Sequence, residues 1–226
     1  SASWAATNFA STGAGDKKFD LAATVEKMRK KGILPRGNIT NIEKGVFQSD
    51  TGEITMRVNE KLIKVVTPKT EAVALTPETK NEKLGLLEVE STSTPAAVAV
   101  TSVDGKPLES SRKMVVIYNT DNISTGFKLT RDMSTLVARG EDPVLMRVGK
   151  VAFSLKKPAE KRSIIDFVKG LFGEKKPEPK YAFYMLKITG ERVEKIPFEE
   201  RNGRFFFNID TSKTKDISPF FELVAE

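Results

Sequence analysis

The chain has 226 residues, 39% hydrophobic and 30% charged, with a formal net charge of +7 and a pI near 9.4. It contains no cysteine and no histidine, which excludes disulfides, thiolate nucleophiles, Cys-ligated zinc and imidazole bases or metal ligands. Carboxylates, Lys and Tyr remain as catalytic groups, and a carboxylate pair suffices for glycoside hydrolysis.

The basic residues are spread along the chain, with no basic arm and no zinc-finger, RNA-recognition or helix-turn-helix pattern, so nucleic acid is not an expected partner. No apolar run approaches the roughly 20 residues of a membrane-spanning helix. Residues 1–18 are rich in Ala, Ser, Thr and Gly around Trp4 and Phe9, and read as a loosely structured lead-in. They show no signal-peptide pattern. The chain opens on Ser, and is expected to be a fragment, a processed product or an expression product. Trp4 is a candidate sugar-stacking platform, although an anchor packing the tail is the preferred role.

Next comes FDLAATVEKMRKKGILP. Asp20 suits a helix cap, Leu21, Val25 and Met28 share one face, and Arg29, Lys30 and Lys31 close the last turn before Gly32. One short helix over 20–31 follows, completing a lead-in and connector of residues 1–43. From Gly45 the period changes to two. VFQSDTGEITMRV, KLIKVVTP, EAVALTP, KLGLLEVE, AAVAVTSV and KMVVIYNT read as strands. VLMRVGKVAFSL, KYAFYMLKI, ERVEKIPFE, GRFFFNID and FFELVA continue the series. Turns fall at Asp50-Thr51-Gly52, Asn59-Glu60, Asp104-Gly105, Thr189-Gly190 and Asn202-Gly203. The predicted fold is mostly β: an antiparallel sandwich or barrel-like domain over 44–226, with one N-terminal helix and one inserted helix. The insertion, at about 157–179, places Ile164, Ile165, Val168, Leu171 and Phe172 at helical spacing between Lys-rich ends. A helix covering a sheet edge is preferred there to a membrane anchor.

Candidate chemistry is sparse. Asp50 and Glu53 concentrate carboxylates beside Ser49 and Thr51, but the stretch reads as a hairpin turn with Gly52 supplying a positive φ. Glu88 and Glu90 share a solvated strand face, and Asp104-Gly105 is a turn rather than a metal loop. Arg131-Asp132 and the run Arg139 to Pro143 read as polar loops. Asn119, Asp121 and Asn122 form a polar cluster able to bond sugar hydroxyls. Phe206 alternates with Phe205 and Phe207, so its ring is a candidate for exposure. No GxGxxG, P-loop or GxSxG occurs. No cofactor, metal site or catalytic residue is assigned.

VFQSDTGEI, KVVTPKTEAV, AAVAVTSVDGKPLESSRKMVVIYNTDNISTGF, GEDPVLMRVGKVAFSL and YAFYMLKITGERVEKIPF form an ordered series. The series resembles the C-terminal β-rich region of large bacterial glycoside-hydrolase-like proteins, which carry a TIM barrel of the β-galactosidase and cellulase superfamily. The resemblance covers about residues 45–156 and 180–224. It implies a non-catalytic accessory domain that buttresses the barrel, contact with polysaccharide, and an extracellular or periplasmic parent. The alternatives are a free-standing carbohydrate-binding module, or a peripheral membrane protein using the basic insertion.

Overall fold

The computed structural model describes residues 20–159 and 179–226. Trp4, the lead-in over 1–18 and residues 160–178 of the helix expected at about 157–179 lie outside the described residues. Helix α1 (Leu21–Lys30) matches the expected connector. Asp20 caps it by accepting the Ala23 N–H at 2.9 Å, and Gly32 follows at φ +70°. Leu21, Val25 and Met28 are its half-buried apolar positions. The Arg29 guanidinium donates to the Thr40 carbonyl and ties the helix to the segment before the first strand.

Among the described residues eighteen strands follow, more and shorter than the sequence runs suggest. β1 (Val46–Gln48), β2 (Ile54–Arg57), β3 (Leu62–Val66) and β4 (Thr70–Leu75) make a meander. β5 (Glu82–Lys83) and β6 (Leu87–Thr92) cross to a second sheet, then β7 (Ala96–Ser102) and β8 (Lys113–Asn119) return. β9 (Asn122–Thr125), β10 (Lys128–Leu129), β11 (Leu136–Ala138) and β12 (Glu141–Met146) form an arm outside both. β13 (Lys150–Lys156), β14 (Tyr181–Leu186), β15 (Arg192–Lys195), β16 (Glu199–Arg201), β17 (Arg204–Asp210) and β18 (Phe220–Ala225) complete the chain.

The large sheet has nine strands in the order β1-β2-β3-β4-β7-β8-β18-β14-β15, and the small sheet five in the order β16-β17-β13-β6-β5. Among the described residues neither sheet closes on itself, so this is a sandwich and not a closed barrel. Period-two alternation directs Val73, Val98, Val116 and Phe183 of the large sheet at Val89, Phe153, Phe205 and Phe207 of the small one. Phe183 meets Phe207 across the core with ring centroids 4.5 Å apart, and Phe153 stacks on Phe207 at 4.7 Å. Turn chemistry sets the register. Asn202 and Gly203, at φ +51° and +69°, join β16 to β17 by a two-residue turn.

VLMRVGKVAFSL, one run in the sequence, is broken in the structure. β12 ends at Met146 and β13 begins at Lys150. A Cβ at Gly149 would stand 2.5 Å from the Tyr118 hydroxyl, so the chain passes there only as glycine. Thr211 anchors the crossing by accepting the Gly149 N–H at 2.9 Å.

Candidate functional site: the outer face of the large sheet

The two sheets treat solvent differently. Directly paired residues share a face, so the register lays out each outer surface row by row. On the small sheet one outer row is Glu88, Ser154, Phe206 and Glu199. Beside it Arg204 donates to Ser154 Oγ at 3.1 Å and to the Leu86 carbonyl at 3.1 Å. That is the polar exterior expected of a sandwich strand.

The large sheet breaks this rule. One outer row runs Phe47, Met56, Ile63, Ala74, Ala97 and Asn119 across β1, β2, β3, β4, β7 and β8. The next runs Ile54, Val65, Ala72, Ala99, Ile117 and Phe220, ending on β18. Eleven of these twelve side chains are apolar. All but Ile63 are half-buried; Ile63 is 39% exposed. A third row turns polar. Thr70 and Thr101 bond each other at 2.8 Å, and the buried Glu222 carboxylate accepts from Arg192 Nε at 2.7 Å and lies 3.3 Å from Lys113 Nζ.

At one end the apolar face deepens into a trough of about 510 Å³, lined by Met56, Ile63, Ala74 and Ala97 with Asn119 and Asp121. The structure therefore brings Asn119 and Asp121 to one rim. Asn122 Nδ2 donates to Asn119 Oδ1 at 2.9 Å. Asp121 pairs with Arg147 at 2.9 Å, and its carbonyl accepts the Arg147 N–H at 2.9 Å. The amide cluster is thus tied up in closing the root of the arm. The arm pairs β9 with β12 and β10 with β11. Much of it, Arg131-Asp132 and the run Arg139 to Pro143, reads in the sequence as polar loops. Ile123, Leu129, Met133, Leu136, Val137, Val144 and Leu145 are all at least 40% exposed on it. At its tip Asp132 accepts from Thr130 Oγ1 at 2.6 Å and Ser134 Oγ at 2.8 Å. These hydroxyls hold its pKa down at about 2.

Phe206 sits elsewhere. It lies on the outer face of the small sheet, across the sandwich from the trough, and the Arg201 guanidinium covers its ring at 4.1 Å. The two candidates cannot make one site. Every Phe and Tyr among the described residues is buried or half-buried. Asp50 and Glu53 flank the expected turn, with Gly52 at φ +76° and Asp50 Oδ1 accepting the Thr51 N–H at 3.0 Å. The buried Ser49 hydroxyl closes the turn by accepting the Ile54 N–H at 3.1 Å. Asp104 likewise shapes a turn. Burial pushes its carboxyl up, but hydrogen bonds from the Arg112 N–H, the Ser111 hydroxyl and the Lys106 N–H outweigh burial and lower its pKa.

One functional group escaped the sequence reading. Glu71 points inward from β4 and is 2% exposed. Its two oxygens each accept the Leu86 N–H at 2.9 Å, and Oε2 also accepts the Leu87 N–H at 2.8 Å. The carboxylate bolts the large sheet to the start of β6. It forms the inner wall of a cleft of about 740 Å³ shared with Glu53, Glu109, Lys156 and Lys157. Its oxygens are occupied by backbone. Among the described residues no group of three or more acidic side chains is arranged to hold a metal ion, and no helix is long and apolar enough to cross a membrane.

Compared with known proteins, the chain matches no family model, no curated protein and no solved structure.

Proposed function

We propose that this chain is a non-catalytic accessory β-sandwich that docks on an adjoining domain through the outer face of its large sheet. The carrying observation is the pair of apolar rows from Phe47 to Ala97 and from Ile54 to Phe220, on a surface where a lone sandwich places polar residues. The exposed arm, rooted at the same rim, extends that surface. The ordered series of sequence words supplies the partner: the TIM barrel of a secreted, extracellular or periplasmic glycoside-hydrolase-like protein. Catalytic carboxylates would then belong to the barrel.

Contact with polysaccharide is a second reading, favoured by Asn119 and Asp121 at the rim of the trough. It is the weaker one, because both residues are engaged in closing the arm and the candidate ring of Phe206 is capped.

The test is to produce the barrel and this chain separately and measure their association by sedimentation. Ile63→Glu, on the apolar face, is expected to weaken it at least tenfold, and Phe206→Ala, on the opposite face, to leave it unchanged. Equal affinity of both variants would overturn docking through this face. Turnover of a glycan by the chain alone, abolished by substituting one carboxylate, would overturn the non-catalytic role.

A further inference from the structure

Sulfur chemistry in this chain belongs to methionine alone. There is no cysteine, and all six methionines lie among the described residues. Their surroundings differ. Met114 and Met185 are core residues, 2% and 0% exposed, and Met28, Met56 and Met146 are half-buried. Met133, at the tip of the arm, is 75% exposed. Its backbone stands at φ +57°, an uncommon conformation for a residue with a long side chain. Hydrogen bonds around it hold that turn. The Thr130 N–H donates to the Thr135 carbonyl at 2.9 Å, and the Met133 N–H donates to the Thr130 carbonyl at 2.8 Å. Asp132 accepts from the Thr130 and Ser134 hydroxyls, and Thr130 Oγ1 accepts the Thr135 N–H at 3.1 Å. The tip is built from backbone and from the side chains flanking Met133, and none of these bonds uses the thioether.

From this placement we infer that Met133 is a modification site: the thioether that peroxides oxidise first, and one whose sulfoxide the fold carries intact. In that step a sulfur lone pair attacks one peroxide oxygen and the O–O bond breaks. The proton on the transferred oxygen passes to the departing hydroxide, which leaves as water. Sulfur is oxidised by two electrons and the peroxide is reduced by two. Access decides the order of reaction. An oxidant meets Met133 with the fold closed, whereas it meets Met114 and Met185 only when the sandwich opens. The new S=O group at the tip stays in water. In the core it would be a buried polar group without a partner. The chemical consequence is local. Leu129, Leu136 and Val137 are the exposed apolar neighbours along the arm, so oxidation places a polar, chiral group in an apolar tip. The same exposure admits a methionine sulfoxide reductase, which makes the change reversible. The inference goes beyond the docking reading and does not depend on it.

The test treats the whole chain with dilute hydrogen peroxide and follows each methionine by peptide mass spectrometry. The first oxygen atom is expected on Met133, roughly tenfold faster than on Met114 or Met185 and ahead of Met28, Met56 and Met146. Met133→Leu should remove this fast phase and leave the slower ones unchanged. Once Met133 alone is oxidised, amide exchange in β7 and β8 is expected to match that of the untreated chain, and a pair of reductases, one for each sulfoxide epimer, should return the original mass. Uptake at Met28, Met56 or Met146 as fast as at Met133 would overturn the assignment of the site. Faster exchange in β7 and β8 after oxidation of Met133 alone, or a sulfoxide that the reductases leave in place, would overturn the claim that the fold carries the modification intact and reversibly.

Discussion

Among single residues, Glu71 shows how much one carboxylate can organise. It satisfies the Leu86 and Leu87 N–H groups in the interior, where an unpaired donor costs about 1–3 kcal/mol. Glu71→Ala is expected to lower stability by about 2–4 kcal/mol in denaturant unfolding. Gly85→Ala should also destabilise, because its Cβ would fall 2.3 Å from Glu71 Oε1. Tyr118→Phe is expected to be neutral or stabilising by up to about 1 kcal/mol. The Tyr118 hydroxyl is buried with no hydrogen-bond partner among the described residues, and burial, then the charge of Asp210, pushes its pKa up to about 12. Glu71 was legible in principle. It occupies the inward parity of β4 with Val73 and Leu75, and a charged residue at a core position signals a buried partner. The partner itself was not legible, since it is a pair of backbone N–H groups on another sheet.

Asp132 gives a pH prediction at the same scale. Its folded pKa is lowered to about 2 from 3.8 by the Thr130 and Ser134 hydroxyls. A lowered carboxylate holds its structure fully above the ordinary value and loses that hold as pH falls through the folded value. The arm tip should therefore stay ordered at pH 4 and loosen only toward pH 2. Carboxylate NMR titration checks this, and Thr130→Ala should return the midpoint toward the ordinary range.

Among elements, the strands of the sandwich were the readable part. Period-two runs bounded by Gly and Asn turns located most of both sheets. Two features were hidden. The break at Gly149 depends on Tyr118, thirty-one residues earlier in the chain, and no local pattern marks it. The arm was obscured because its strands are short, bulged and not alternating. Glu141 pairs with Thr125, but the register then slips before Val144 meets Ser124. An arm of paired strands held at its root by Asp121 and Arg147 should exchange amide hydrogens faster than β7 and β8. Arg147→Ala is expected to raise exchange in β9 and β12 by ~2–5-fold, the effect of an exposed ion pair, and to leave β7 and β8 unchanged. Equal change in the central strands would show that arm and sandwich open together.

For the whole molecule, the contrast between the two exteriors matters most. The same chain places Glu88, Ser154 and Glu199 outside one sheet and Ala72, Ala99 and Ile117 outside the other. The alternation rule read from sequence located the inner faces but was blind to this asymmetry. A strand such as TEAVAL or AAVAVTS reads as apolar on both sides, and only the register reveals that those second sides line up across six strands. Apolar exteriors of this breadth mark contact surfaces. The most direct check is oxidative footprinting of Met56 and Phe206 in this chain alone and in a longer protein that joins it to the proposed barrel. Docking through the large sheet predicts that Met56 is protected several-fold in the longer protein while Phe206, on the opposite face, is labelled equally in both. Equal labelling of Met56 in the two would contradict it.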